Sequence, residues 1–566
     1  MKTNVLNFIL SAALFLVSSP TMAQITLGTA GGIHVVENTV ITILGNTDVQ
    51  DATKFTIEEG GKARFGGILF SPGDLTFDGN IEFFNNVAQT INFSMVVKDL
   101  TIISGSSLTV NPSKNLTVNG TLDNKAGNTG LVIASSASGT GSLLHNTENV
   151  PGTIQRYITG SSNLDQLKYH FVNVPLIPST ESTNGIFLGS YLFDFNESAN
   201  AWHPLGSATN TELDETKGYM IYYPGAAWTY SFAGLMNNGN FNPSISYTVD
   251  KGYNLVPNPY PSSINWMSEN WTKTNIGTTF WIWNNGTYAT FNSTVPDSVS
   301  GGRRFIAPGQ SFFVKANGTS PSLILTNSVR LHYPTTFLKS VQKTFNRLKI
   351  VASIPDYTDE AIVKFNNEGS SREDDFDSRK LLGLGSVPQL YSLAGDLKLA
   401  INSLPVSLPE VTVPLCFQLD HDQSCTLDFS GVETFFSTLK ISLEDLVTGE
   451  WTDLTTHSQY NFLHVKGNRA DRFLLHFGEF TSIDDPAKET TIKVYLSNGL
   501  ITIQAPGLEG QVAEIVIINP LGQQYSVYRQ TISNFTRVPA PRSAGVYLVR
   551  ITTGNKQLVT KIIINS

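Results

Sequence analysis

An apolar–Thr–apolar tripeptide recurs through the first quarter of this chain and leaves few folds open to it. It stands at Phe55-Thr56-Ile57, Leu75-Thr76-Phe77, Leu100-Thr101-Ile102, Leu108-Thr109-Val110 and Leu116-Thr117-Val118, with Leu131-Val132-Ile133 as a variant. Apolar side chains two residues apart share one face of an extended strand. Gly, Asn, Ser, Pro and Asp fill the intervals and end each strand after a few residues. So short a strand cannot bury its apolar face alone, but stacked copies can bury each other's. Leu100, Leu108 and Leu116 are spaced by eight, while longer intervals separate 55, 75 and 100. Residues 24–150 therefore read as a β-solenoid-like repeat region, with a sandwich of regular hairpins as the rival reading.

The texture changes at Gly152-Thr153-Ile154-Gln155-Arg156-Tyr157. Residues 151–340 hold six of the seven tryptophans and many Tyr, Phe and Pro, in short strand-like runs such as Gly218 to Tyr223 and Phe312 to Lys315. This is the pattern of an antiparallel β-sandwich. Residues 341–480 predict a second sandwich, with strands at Leu348 to Val351, Ala361 to Phe365 and Phe473 to Phe477. Residues 481–490 lack apolar periodicity and read as a linker. Residues 491–566 predict a small Ig-like β-sandwich, large enough to fold on its own. The fold class is all-β, with hardly any helix.

Only 15% of residues are charged, below the roughly 25% of an ordinary soluble domain. The net charge of −9 argues against nucleic acid as a partner, because no basic stripe is present to neutralise phosphates. At the N-terminus, Lys2, an apolar stretch from Val5 to Val17 and Thr21-Met22-Ala23 form the pattern of a signal peptide over residues 1–23. No other run is long and apolar enough for a transmembrane helix, so a mature chain without a membrane span is expected, outside the cytoplasm.

Catalytic motifs are absent. There is no His-Glu-x-x-His and no Gly-x-Ser-x-Gly, since Gly309-Gln310-Ser311-Phe312-Phe313 fails at its last position. No catalytic, cofactor or metal-binding residue is assigned, and no cofactor is expected. Glycosidase carboxylates meet only in the fold, so a polysaccharide-cleaving protein remains the alternative to a structural or adhesive one. The acidic cluster Glu373-Asp374-Asp375-Phe376-Asp377 has two readings, a solvated loop partnered by Arg372, Arg379 and Lys380 or a Ca²⁺ site.

Two features allow sharper expectations. Cys416 and Cys425 flank a segment that can turn at Asp420-His421. A hairpin there sets the two cysteines opposite each other, with Cα atoms about 4.5 Å apart, within disulfide range. A cross-strand disulfide is the expectation in an oxidising compartment. Trp281 and Trp283 share one face of a strand. They either stack on sugar rings as a glycan platform or fill a sandwich core.

The C-terminal segment carries a resemblance. Asn519-Pro520-Leu521-Gly522-Gln523, Gly545-Val546-Tyr547-Leu548-Val549-Arg550 and Lys561-Ile562-Ile563-Ile564 resemble the C-terminal sorting domain of cargo for the type IX (Por) secretion system of Bacteroidetes. The resemblance covers about the last 75 residues of the chain, and Gly545, Tyr547, Val549 and Lys561 carry the motif. It implies passage through the periplasm, recognition by the outer-membrane translocon, and release or attachment to surface lipopolysaccharide. Tyr169 to Pro175, Gly252 to Pro261, Ile306 to Lys315 and Asn327 to His332 also resemble recurrent segments of surface proteins from the same bacteria. That resemblance implies location and architecture alone. The expected partner is the type IX secretion machinery of the outer membrane, with glycans or surface lipopolysaccharide as further candidates.

Overall fold

The computed structural model describes residues 24–564 except 28–31, 163–167, 178–185, 207–212, 333–345, 407–410, 436–438, 479–492, 505–508, 520–522 and positions 498, 534, 544 and 555. The expected signal peptide and the 481–490 linker lie outside the described residues. Apart from three single-turn 3₁₀ segments, the described elements are strands.

Residues 24–150 form a β-solenoid-like stack of short parallel strands. Leu100–Ile102 pairs in parallel with Asn80–Phe83 on one side and Leu122–Asn124 on the other. Ser107–Val110 does the same with Ala88–Ile91 and Leu131–Ile133, and Asn115–Val118 with Met95–Val97 and Ser142–Leu144. The eight-residue spacing of Leu100, Leu108 and Leu116 therefore separates successive faces of one winding. Stacking joins Leu100 to Ile81 and Leu122, 19 and 22 residues away. That longer interval is the true repeat, and its drift hides it in the sequence. Leu100, Leu108, Leu116 and Leu131 are fully buried, with Phe55, Phe65, Phe77 and Phe83 filling the same interior.

A sheet and a single core run across residue 150. Pro151–Thr159 joins the solenoid strand Leu131–Ile133 in parallel, then pairs antiparallel over nine positions with Ala227–Met236. The core cluster that begins at Leu27 continues through Ile154 and Ile158 to Phe232 and Met236. The solenoid's last turn is thus closed by strands of the aromatic-rich region, which saves its end from exposing apolar side chains.

The aromatic-rich region adds a five-stranded antiparallel sheet in the order Tyr253–Pro257, Ser311–Ala316, Ile276–Asn284, Thr287–Asn292, Asp297–Val299. A four-stranded antiparallel sheet, Tyr169–Val172 with Tyr219–Tyr222, Tyr191–Asn196 and Ala201–Gly206, packs on one face of it. Residues 347–477 form an eleven-stranded sheet around a second large core. Its pairings are antiparallel except for Tyr357–Asn366 beside Leu397–Pro405. Beyond 492 come a three-stranded and a four-stranded sheet with their own core, Ile501, Ile515, Val549 and Ile562 among them.

Buried polar contacts join the aromatic-rich region to the eleven-stranded sheet. Arg347 and Lys364 flank the carboxylate of Asp297 at 2.9 and 3.4 Å. Lys380 pairs with the fully buried Asp359, whose other oxygen accepts from Thr287 and Ser300. Breaking such a pair leaves a buried charge without compensation, which costs about 3–5 kcal/mol.

Candidate functional site

The segments singled out in the sequence converge where the solenoid ends. Asn258 is fully buried, and its Nδ2 donates to the carbonyls of Ser262, Ile306 and Ala307 at 2.9, 3.1 and 2.9 Å. Asn173 Nδ2 donates to the Asn258 carbonyl, and Ser311 Oγ to that of Val172. Arg330 reaches back to the His145 carbonyl at 2.8 Å, while His332 bridges Thr117 and Ser142, each at 2.8 Å. Four segments spread over 160 residues thus build one polar junction. Its amides and hydroxyls satisfy backbone groups that a closed solenoid end would otherwise bury without partners.

Beside this junction lies an open cleft of about 820 Å³, between the solenoid and the five-stranded sheet. The solenoid wall offers short hydroxyls and amides, among them Ser113, Asn115, Ser138 and Thr140. The opposite wall is largely apolar, from Phe280, Ile282, Trp283, Ala289, Phe305 and Pro308. Among the described residues, Arg156 and Arg303 are the charged members of the lining, with no Asp or Glu beside them. That composition stands out in a chain with 46 acidic residues.

Arg156 is the unusual member. On Pro151–Thr159 it shares parity with Gly152, Ile154 and Ile158, all buried. It therefore occupies a position where the strand's pattern calls for an apolar side chain. Its stem lies against Gly309, with Cδ 3.7 Å from where a Cβ there would stand. Its Nε is buried without a hydrogen-bond partner. Burial pushes the guanidinium down to about 10. Sequence periodicity carried a signal for this residue, a cation in an apolar slot, that the motif search passed over.

The other singled-out residues fall elsewhere. Trp281 and Trp283 do share a face, but that face is packed against Phe171, Met220 and Phe313. Trp281 is 2% exposed. Trp283 stands edge-on to Tyr288 and Tyr169, with ring centroids 5.1 and 6.2 Å away. The glycan-platform expectation is corrected for Trp281, which the four-stranded sheet covers because burying a large aromatic gains more than leaving it in water; Trp283 is only partly buried and also lines the cleft.

The disulfide expectation is corrected as well. Cys416 and Cys425 are both buried free thiols, and the hairpin does not form. Val411–Gln418 pairs with Gln389–Ala394 and Phe473–Phe477, whereas Gln423–Ser430 pairs with Arg347–Ile354 and Gln459–His464. Each strand finds partners on both edges, which buries more surface than a lone hairpin. Cys425 lies inside the core of this region, while Cys416 stands opposite Tyr391.

The acidic cluster turns carboxylates to its own loop and to the neighbouring strand Leu397–Pro405. Glu373 pairs with Arg379, Asp374 accepts from the amides of Ser370 and Phe376, and Asp377 from those of Asp374 and Ser403. Among the described residues no group of three metal-ligating side chains is assembled. In the tail, Tyr547 and Val549 point into the core of the small sandwich, Lys561 is exposed, and Gly545 opens the strand Gly545–Thr553.

Comparison with known proteins adds three observations. A family model described as a domain of unknown function (DUF8693) matches residues 80–477, from mid-solenoid to the last strand of the eleven-stranded sheet. The minor fimbrium subunit Mfa5 of Porphyromonas gingivalis is 24% identical over 437 residues, covering 68% of this chain. The chain spans only 35% of that relative's length. Among solved structures, a two-domain fibronectin type III segment of chicken tenascin aligns with 26% of this chain and 94% of its own, at 10% identity and a TM-score of 0.11. The beta-glucuronidase of Ruminococcus gnavus aligns with 74% of this chain and 46% of its own, at 11% identity and a TM-score of 0.11. At those scores neither structure bears on fold or activity.

Proposed function

This chain belongs to the family described as a domain of unknown function (DUF8693), and from that premise we propose that it is an exported, surface-displayed structural protein with an adhesive role. The distant similarity to a fimbrium subunit of a Bacteroidetes species carries the reading. An all-β build joined by buried polar contacts suits a protein that must hold its form outside the cell. No helix among the described residues is long and apolar enough to cross a membrane.

The proposed route is type IX secretion, with residues 1–23 as the export signal and 491–566 as the sorting domain. Three observations support a transport module. The tail lies outside the family match, it has a core of its own, and it carries the strand Gly545–Thr553 with Tyr547 and Val549 buried. The partner is then the outer-membrane secretion machinery, and the destination is the medium or the outer surface by way of the periplasm.

Deleting 491–566 tests this reading. The truncated protein should fold and accumulate in the periplasm, and the tail fused to a periplasmic reporter should carry the reporter to the surface in a host with the translocon. Normal surface levels of the truncated protein would overturn the sorting role.

A further inference from the structure

The cleft beside the solenoid end has a chemistry that surface display does not explain. A guanidinium held in an apolar slot is costly unless something pairs with it. Arg156 makes no hydrogen bond or ion pair with a described residue, and Gly309 leaves room for its stem. Among the described residues no carboxylate lines the cleft to neutralise it, and the other charged lining residue, Arg303, has the same sign. The arrangement selects for a negative charge brought from outside. Guanidinium recognises a carboxylate through a planar, two-pronged contact.

The two walls narrow the rest of the ligand. One presents small hydroxyls and amides from solenoid turns, and the other presents apolar side chains, Ile282, Trp283, Phe305 and Pro308 among them. A pyranose has the same division, with hydroxyls at its rim and C–H groups on its faces. Among the described residues of the lining the positive charge is carried by arginines, as planar groups instead of mobile ammonium heads. The volume, about 820 Å³, lies within the roughly 300–1,000 Å³ typical of small-molecule sites.

We infer that this cleft binds a carboxylate-bearing sugar, with Arg156 taking the carboxylate and the solenoid wall taking ring hydroxyls. The inference goes beyond the proposed location and structural role. It is tested with purified protein in solution, so it stands or falls separately from the sorting route.

The test is titration calorimetry of the full chain with trigalacturonate and with sialyllactose, each beside its neutral methyl ester. At least one acid should bind, and its ester at least ten-fold more weakly. Arg156→Gln should abolish that preference. Because Arg156 is partly buried, a second variant guards against misfolding. Ser138 is exposed on the rim, so Ser138→Glu should leave the melting temperature unchanged and weaken the acid at least five-fold by repulsion. Binding of neither acid, equal binding of acid and ester, or an acid affinity untouched by Ser138→Glu would overturn the proposal. So would binding of peptides ending in a free carboxylate while both sugars fail.

Discussion

The indole Nε1 of Trp281 donates to the backbone carbonyl of Arg379 at 2.9 Å. This bond satisfies the buried indole and is one of several that tie two regions together. Trp281 comes from the five-stranded sheet, Arg379 from Ser378–Arg379, a short strand of the eleven-stranded one. Beside it, Asn292 Nδ2 donates to the Asp377 carbonyl and Thr279 meets Ser378, at 2.9 Å each.

Trp281→Ala should therefore destabilise the protein by about 3–5 kcal/mol, from lost packing and the cavity left behind. Trp281→Phe keeps most of the bulk but orphans the Arg379 carbonyl, at about 1–3 kcal/mol. Guanidinium unfolding followed by circular dichroism should rank wild type, Phe and Ala in that order. An unchanged transition for Ala would mean that the indole is not buried in solution.

Asn258 offers a test of the polar junction. Replacement by Asp keeps the volume but sets carboxylate oxygens against the carbonyls of Ser262, Ile306 and Ala307. Repulsion and unmet acceptors should cost about 3 kcal/mol or more. Limited proteolysis should then cut near the solenoid end, where wild type resists.

Acid should weaken the same junction. His145 is 1% exposed with both ring nitrogens unpartnered, and burial, with Arg330 adding to it, holds it down at about 4. His332 is held at about 4 by burial as well. A histidine whose folded value lies below its unfolded value of about 6.5 binds more protons when unfolded. Stability is then full above pH 6.5 and lost as pH falls from 6.5 towards 4, by about 3 kcal/mol for His145. Asp377, raised to about 7 by burial, works the other way and loses stability as pH rises between 3.8 and 7. The difference between wild type and His145→Leu isolates the histidine. The slope of stability against pH should flatten in the variant between pH 4 and 6.5.

The thiols should behave as buried neutral groups. Burial pushes Cys416 up to about 12 and Cys425 up to about 11. Alkylation reacts with the thiolate, so native protein at pH 8 should resist iodoacetamide for hours. Denaturation without reductant should expose both for rapid labelling, as read by mass spectrometry. Two unlabelled cysteines after denaturation would establish a disulfide.

Much of the architecture was legible in the sequence because strand periodicity is local. Leu108-Thr109-Val110 buries Leu108 and Val110 and leaves Thr109 between them less buried, as its pattern implies. Val546 and Leu548 are exposed while Tyr547, Val549 and Ile551 are buried, so alternation also fixed the two faces of the tail strand. Alternation does not say which face a neighbour will cover or which strand will pair. Trp281 and Trp283 share one face as alternation implies, but only packing against the Tyr169–Val172 sheet buries Trp281 and leaves Trp283 at the edge of the cleft. Cys416 and Cys425 lie nine residues apart, yet sheet pairing with distant strands separated their environments. Arg156 was visible as a letter in a strand. Its significance depends on the absence of carboxylates around it, and that is set by residues from 113 to 310 brought together by the chain's long-range course. The sequence by itself determined strand positions, faces and the all-β class, because these follow from each residue's nearest neighbours. Partners, burial of a given face and the charge of the cleft belonged to the tertiary structure, because they depend on surfaces that meet only after the chain has folded.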